Sequence, residues 1–173
     1  TKEKVHFYII GDTFDFPYAD VSFYEAPDVS MFKMIRANGH IGTSSCYRLF
    51  SPYIKSLDKV IYVDCDTVVL GDIKELWDIK VEYIGGVLDP LYKHNAKKNN
   101  LTHSYINTGV MILNLANLRK LPFMKLLIGT QKKEYNLSLL DQDITNIAFS
   151  DKIQLLPYEW NPYAKLYNET TED

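Results

Sequence analysis

The chain has 173 residues, enough for one domain with a sizeable core. It is 46% apolar and 24% charged, and its net charge of −3 comes without a basic block, so we expect no nucleic-acid partner. No apolar run approaches the roughly 18 residues that span a bilayer. Its two cysteines form no paired framework, which favours a cytoplasmic protein, either free or peripheral at the inner face of the membrane.

Two apolar segments lie near the start of the chain. "VHFYIIGD", residues 5–12, is a continuous apolar run and predicts a strand buried on both faces, as in a parallel sheet. "VSFYEAPD", residues 21–28, predicts a second short strand. Apolar residues then recur at helical spacing from Cys46 to Leu57, and this pattern predicts a helix that Ser44 or Ser45 can cap.

The middle of the chain contains a buried strand that runs into two acids. "KVIYVD" predicts this strand, and "VVL", shortly after it, predicts another short one. Asp72 and Glu75 have the spacing of a capping box, which predicts that a short helix, "IKELWD", begins after Asp72.

The second half of the chain alternates strand and helix patterns. Strands are predicted in "YIGGVLD", "YINTGVMILNL" and "KIQLLP", and helices in "LRKLPFMKLLIGTQKKEY" and "LLDQDITNIAF". The polar segment 91–104 is predicted to be a mobile loop, and the tail "YNETTED" to be disordered. This alternation favours an α/β fold with a mixed, mostly parallel sheet.

The segment "VIYVDCDTVVLGD", residues 60–72, carries a candidate site. Alternate side chains of a strand share a face, so Asp64 and Asp66 are predicted to point the same way and Cys65 into the opposite layer. Ligands of open α/β sheets bind at the carboxyl ends of strands. Two carboxylates there repel each other unless a hard cation such as Mn²⁺ or Mg²⁺ joins them to a ligand's phosphates. The pattern therefore indicates a metal–diphosphate site.

Other interpretations of the same residues stay open. The two acids can simply cap turns. "VDCDTVV" also resembles the motif of haloacid-dehalogenase-like phosphatases, in which the first Asp, here Asp64, is the nucleophile. Here, however, two strands and a helix are predicted before the motif, and the later motifs of those phosphatases have no convincing counterparts. A third alternative is a non-catalytic module that binds a sugar nucleotide.

Four segments occur together in a specific order: "YRLFSPYI", "DKVIYVDCDTVVLGDIKELWD", "YINTGVMILNL" and "LLDQDITNIAF". Together they resemble glycosyltransferase family 8, which includes bacterial lipopolysaccharide glucosyl- and galactosyltransferases and is related to glycogenin. The resemblance covers roughly residues 5–162 and implies a GT-A (Rossmann-like) fold, with residues 1–173 as a single catalytic domain. It also implies Mn²⁺ (or Mg²⁺), a UDP-glucose or UDP-galactose donor, a saccharide acceptor, and retention at the anomeric carbon, in cell-surface polysaccharide or lipopolysaccharide synthesis.

The resemblance assigns roles to the residues around the two acids. Asp64 and Asp66 would bind the metal, which would stabilise charge on the departing UDP, and Cys65 between them joins the donor-binding set. Arg48, in "YRL", would approach the donor sugar and phosphate, although from the residues alone it is equally a solvated surface arginine. Asn107, in "NTGV", would contact donor hydroxyls.

Further along the chain, the resemblance assigns the remaining site residues. Thr108 and Gly109, after Asn107, would let the backbone approach the donor closely. Asp141 and Gln142 would be catalytic, with Asp141 holding sugar hydroxyls and Gln142 near the anomeric carbon, opposite the leaving UDP. Asp89, at the end of its strand, would also contact the donor sugar. From the residues alone, Asp141 and Asp143 need be no more than acids favoured at a helix N-terminus.

Two parts of the family pattern have no counterpart here. The family's first strand would precede Val5, and its third metal ligand is a histidine beyond the last strand. The four histidines of this chain lie elsewhere in the pattern, at His6, His40, His94 and His103. We therefore expect a catalytic domain that is incomplete at both ends and poorly active in isolation. We also expect a sheet position that is open to solvent or to a second copy in a homo-oligomer.

Overall fold

The computed structural model describes residues 4–17, 20–30, 43–131 and 135–162. Strands β1 (His6–Ile10) and β2 (Asp20–Tyr24) pair in parallel as a two-stranded sheet. Phe7 and Tyr8 are exposed, so the prediction that the first strand is buried on both faces is wrong. Within the described residues β1 pairs with β2 and with no other strand, and its apolar run is not enclosed between two layers.

Four strands form the main sheet, in the order β3-β5-β4-β6. They are β3 (Lys59–Val63), β4 (Ile84–Leu88), β5 (Ile106–Asn114) and β6 (Ile153–Leu156). β5 runs antiparallel to β3 and β4, while β4 and β6 are parallel. Three strands therefore point one way and β5 points the other, so the sheet is mixed, as predicted.

Short helices connect these strands. The α-helices are α1 (Ile73–Asp78), α2 (Tyr92–Lys98), α3 (Leu115–Leu118), α4 (Phe123–Gly129) and α5 (Asp141–Ala148), and the 3₁₀ segments are Thr43–Tyr53, Ser150–Lys152 and Tyr158–Trp160. Helix α1 begins after Asp72, as predicted, and the Asp72 carboxylate caps it by accepting a hydrogen bond from the Lys74 N–H at 3.0 Å. No helix in the described ranges is long and apolar enough to cross a membrane.

Some predicted elements differ from those in the structure. The helix predicted at Cys46–Leu57 is the 3₁₀ segment Thr43–Tyr53, with Pro52 inside it. "VVL" is not a strand, and its residues are exposed. The helix predicted at residues 118–135 is shorter in the structure, because α4 begins only after Pro122, which has no N–H to donate, and ends at Gly129. The tail "YNETTED" lies outside the described residues.

The predicted mobile loop 91–104 contains α2, which ends in hydrogen bonds typical of a Schellman motif. The Leu101 N–H donates to the Ala96 carbonyl at 2.9 Å, and the Asn100 N–H donates to the Lys97 carbonyl at 3.2 Å. Asn100 has a φ of 56°, in the left-handed region that this motif requires. The prediction of a loop is wrong because the segment is largely polar and the helix buries only Asn95 and Ala96.

Both faces of the main sheet are packed. On β5, Met111 and Leu113 contribute to one apolar cluster, which also receives residues from α3, α4, α5 and the 3₁₀ segment Thr43–Tyr53. Val110 and Ile112 contribute to a second cluster with Leu76 of α1. Alternate residues of β5 therefore face opposite layers, which holds the sheet and its strand ends in place.

Candidate active site

The ends of three strands meet at one edge of the main sheet. Because β5 runs opposite to β3 and β4, its amino end lies beside their carboxyl ends. The Asp64 N–H, just after β3, donates to the Gly109 carbonyl at 2.8 Å. The Asp89 N–H, just after β4, donates to the Tyr105 carbonyl at 2.9 Å. The motif residues that follow or begin these strands are thereby brought to the same edge.

Arg48 occupies the centre of this edge. Its side chain is only 10% exposed, and it forms ion pairs with Asp64 (Nη2 to Oδ1, 2.7 Å) and Asp141 (Nε to Oδ2, 3.1 Å). Its Nη1 donates to the Thr108 carbonyl at 2.9 Å, and its guanidinium lies 4.5 Å from the centre of the Tyr62 ring. Arg48 is therefore not a solvated surface residue, because it links three separate segments of the chain.

The two carboxylates that Arg48 joins have different surroundings. Asp141 is 5% exposed, and burial raises the pKa of its carboxyl, an effect that the positive charge of Arg48 opposes. Asp64 is more accessible, and its Oδ1 also accepts a hydrogen bond from the Tyr62 hydroxyl at 2.8 Å. Burial also raises the pKa of the Tyr62 hydroxyl, so this group remains a proton donor to Asp64 at neutral pH.

Gln142 is held at both ends of its side-chain amide. Its Oε1 accepts a hydrogen bond from the Thr108 N–H at 3.2 Å, and its Nε2 donates to Asp89 Oδ2 at 3.1 Å. The other Asp89 oxygen accepts from the Leu91 N–H at 2.8 Å and from Asn95 Nδ2 at 3.1 Å. These bonds fix the direction of the Gln142 amide and connect α5, β4 and α2.

Asn107 occupies the start of β5, beside Asp64. Its Oδ1 accepts hydrogen bonds from the Gly109 N–H and from Asn161 Nδ2, both at 2.8 Å. A Cβ at Gly109 would lie 3.0 Å from Asn107 Oδ1 and 3.1 Å from Asp64 Oδ2. The absence of a side chain at Gly109 therefore lets these two polar groups approach the backbone closely.

The two acids of "DCD" lie in a turn and not in a strand. β3 ends at Val63, and the Thr67 N–H donates to the Asp64 carbonyl at 3.1 Å. Cys65 and Asp66 are exposed. The prediction from strand alternation is therefore wrong, because Cys65 does not enter the opposite layer. Asp64 is bonded to Arg48 and Tyr62, whereas Cys65 and Asp66 lie on the exposed turn.

The acids of this turn are of the right type for a hard cation. Asp64 and Asp66 supply the carboxylate oxygens that Mg²⁺ and Mn²⁺ prefer. Nowhere in the described part of the chain do three or more His, Cys, Asp or Glu side chains cluster as a metal site would require. The two aspartates fit such an ion only if a ligand's phosphate oxygens and water complete its coordination.

Three residues that hydrogen-bond the predicted site residues were not predicted from the sequence. Tyr62 could have been found, because it lies two residues before Asp64, and alternate residues of a strand share a face. Asn95 was hidden in the segment predicted to be a loop. Asn161 lies beyond β6 and carries no pattern that would link it to Asn107.

Comparison with known proteins gives one family. Residues 28–173 match the family model of glycosyl transferase family 8. General stress protein A of Bacillus subtilis (strain 168) is 29% identical over 171 residues, which cover 84% of this chain and 60% of that protein. The lipopolysaccharide 1,2-glucosyltransferase of Escherichia coli is 27% identical over 99% of this chain and 57% of its own length. The chain thus spans about 60% or less of these relatives.

Solved structures agree in fold. The galactosyltransferase LgtC, in complex with donor and acceptor sugar analogues, superimposes with a TM-score of 0.68 at 25% identity, covering 80% of this chain and 53% of that one. An active-site mutant of LgtC gives a TM-score of 0.75 at 23% identity, covering 89% of this chain and 58% of that one. The predicted GT-A fold is confirmed.

Proposed function

Since this chain belongs to glycosyl transferase family 8, we propose that the residues joined by Arg48 at the strand ends form the donor site of a retaining glycosyltransferase. The observation that carries the proposal is Arg48, which joins Asp64 after β3 to Asp141 at the start of α5. The reaction moves glucose or galactose from a UDP-sugar to a saccharide acceptor in cell-surface polysaccharide or lipopolysaccharide synthesis. A lipopolysaccharide glucosyltransferase among the relatives and a galactosyltransferase among the similar structures support this choice.

The charge of the site favours a cation together with the donor. Arg48 is paired with two carboxylates, those of Asp64 and Asp141, and Asp66 and Asp89 follow the same strand ends, so a diphosphate alone would be repelled. We propose that Asp64 and Asp66 hold Mn²⁺ or Mg²⁺ here. When bound, the cation supplies Lewis-acid stabilisation of the charge on the departing UDP.

The other side chains bind and orient the donor. Arg48 and Tyr62 both bond Asp64 Oδ1, so that Oδ2, on the side of Gly109, faces the ligand. In this proposal Asp141 accepts hydrogen bonds from hydroxyls of the donor sugar. Asp89, Asn107, Thr108 and Cys65 complete the donor contacts.

Gln142 is the proposed catalytic side chain nearest the anomeric carbon, on the face opposite UDP. Both ends of its amide are already hydrogen-bonded, to Thr108 and Asp89. Such a dipole does not need to reorient as positive charge develops on the sugar, and preorganised dipoles of this kind lower the barrier. The Gln142 carbonyl oxygen has a second lone pair with which to face that charge.

Two other functions were considered for these residues, a phosphatase and a non-catalytic binding module. The family match decides against the phosphatase interpretation of Asp64. A non-catalytic module that binds a sugar nucleotide would use the same residues, and only turnover separates it from an enzyme.

The test is release of UDP from UDP-glucose and from UDP-galactose, with Mn²⁺ or with a chelator, in the presence of neutral and acidic oligosaccharides. We expect Mn²⁺-dependent release that Gln142→Ala lowers at least about tenfold in kcat, with UDP affinity unchanged. NMR of the product should show that the anomeric configuration of the donor is retained. UDP binding without any release, also in a longer form of the protein, would favour the module instead, and an inverted product would refute retention.

A further inference from the structure

A second feature lies beside the proposed donor site, on α2. A wide-open surface depression of about 510 Å³, called the cavity below, lies between this helix and the segment that follows it. Its lining includes Lys93, Lys97 and His103, together with the Tyr92 ring and Leu101, and among the described residues that line it none is acidic. In a chain of net charge −3, a cavity lined by positively charged groups without acids favours an anionic ligand.

The two lysines lie on one side of α2, where they reduce the stability of the helix. Lys93 and Lys97 are four residues apart and both are exposed, so their like charges face each other and weaken the helix slightly. Neither forms an ion pair within the part of the chain that the structure describes. Lys93 is also in the first turn, where the helix dipole disfavours a cation. A bound anion would relieve these repulsions.

The chain path along one side of this open cavity is fixed by hydrogen bonds. The Schellman motif at the end of α2 turns the chain back, and the Leu101 N–H is held on the Ala96 carbonyl at 2.9 Å. Leu101 and His103 therefore lie along the helix beside the lysines. An anion there can meet two ammonium groups, and the Tyr92 ring and Leu101 offer apolar surface to the body of a ligand.

The same helix is tied to the proposed donor site. Asn95 Nδ2 and the Leu91 N–H both donate to Asp89, which in turn accepts from Gln142. Because residues turn by about 100° along a helix, Lys93 and Lys97 lie on the side of α2 opposite Asn95. The cavity is thus separated from Asp89 by roughly the 10 Å diameter of a helix. A ligand that reaches both places must be longer than one sugar.

We propose that this cavity binds an anionic group, phosphate or carboxylate, on a saccharide acceptor, at a sugar removed from the one that reacts. This inference rests on the proposed function, because it names the acceptor of the same site. It makes the acceptor an acidic oligosaccharide and not a neutral one.

Binding of glucose 6-phosphate, glucuronate and glucose, measured by NMR titration in metal-free buffer, tests the site. We expect glucose 6-phosphate or glucuronate to shift the amide signals of Lys93 and Lys97, and glucose not to do so. The double variant Lys93→Gln/Lys97→Gln should weaken anion binding at least about tenfold, and added salt should weaken it in the unaltered protein. Comparison of the two anions shows whether phosphate or carboxylate is preferred.

The control is Lys55→Gln/Lys125→Gln, which removes the same charge from exposed positions elsewhere. The inference is overturned if neither anion binds better than glucose, or if both double variants weaken binding equally. UDP binding, measured on the same protein after Mn²⁺ is added, separates the two claims. Anion binding without UDP binding would contradict the proposed function and leave the cavity site, whereas UDP binding without anion binding would do the reverse.

Discussion

Replacing Arg48 with alanine is expected to destabilise the protein by about 3–5 kcal/mol, because removal of one partner leaves a buried charge without compensation. Arg48 is 10% exposed, and its partner Asp141 is buried beside it. For a chain of this size the melting temperature should fall by roughly 6–20 °C, as followed by circular dichroism. Arg48→Lys keeps the charge but loses the planar fork that bonds Asp64, Asp141 and Thr108 together. The stability of this variant should therefore lie between those of the unaltered protein and Arg48→Ala.

The pH dependence identifies the cause of this loss. The pKa of Asp141 is already raised by burial, and Arg48 opposes that rise. In Arg48→Ala the pKa should rise further. A raised carboxyl pKa costs stability as pH increases above the unfolded-state value of about 4, so the deficit of the variant should be larger at pH 8 than at pH 5.

A surface lysine provides the control for Arg48. Lys74 pairs with Asp78 at an exposed i,i+4 position, and Lys74→Ala should cost no more than about 0.5 kcal/mol. A cost for Arg48→Ala as small as that for Lys74→Ala, or a deficit that does not depend on pH, would contradict the role given to Arg48.

Asp143→Ala is expected to have an effect of similar size for a different reason. Asp143 is 0% exposed, and its carboxylate accepts four hydrogen bonds. The donors are Lys98 Nζ (3.0 Å), Asn99 Nδ2 (2.8 Å), the Tyr105 hydroxyl (2.6 Å) and the Leu139 N–H (2.7 Å). The variant removes the ion-pair partner of Lys98, whose Nζ keeps a hydrogen bond to Ser138 Oγ at 2.8 Å, and removes the shared acceptor of the other donors, so we expect a loss of about 3–5 kcal/mol in urea unfolding.

The size of this loss distinguishes two explanations of Asp143. An acid that only complements the dipole at the start of α5 would contribute about 0.3–1 kcal/mol. Asp151 pairs with Lys152 at the surface, and Asp151→Ala should cost less than about 1 kcal/mol. A loss for Asp143→Ala within that smaller range would mean that the buried network contributes little. Adding Lys98→Met to Asp143→Asn should recover part of the stability by removing both charges.

The sequence predicted the strand ends better than their surroundings. Apolar runs that stop at an acid identified β3 and β4 as strands, but the similar run of β1 is a strand with exposed Phe7 and Tyr8, so such a run predicts the strand better than its burial. That Thr108 of β5 meets Arg48 and Gln142 depends on the reversed direction of β5, which no local pattern reveals. The resemblance to a family named these residues, but the contacts between them come only from tertiary structure.

Other parts of the site lacked any local signal. α2 was predicted to be a loop because its buried side consists of little more than Asn95 and Ala96. Asp66 was placed beside Asp64 by strand alternation, but β3 ends at Val63 and a turn follows, so alternation no longer applies. Asp143 and Asn95 are buried polar residues, and the sequence around such residues does not distinguish them from exposed ones.

The most direct test of the donor site is a calorimetric titration of UDP into the protein with and without Mn²⁺. Asp66 is exposed, so Asp66→Asn should leave the fold unchanged while removing one proposed ligand of the cation. We expect binding that requires Mn²⁺ and is about tenfold weaker in Asp66→Asn, a loss of about 1.4 kcal/mol, and that is lost in Asp64→Ala/Asp66→Ala. No binding in either condition, or an affinity that is equal without Mn²⁺ and unchanged in Asp66→Asn, would contradict a metal-dependent nucleotide site at this turn.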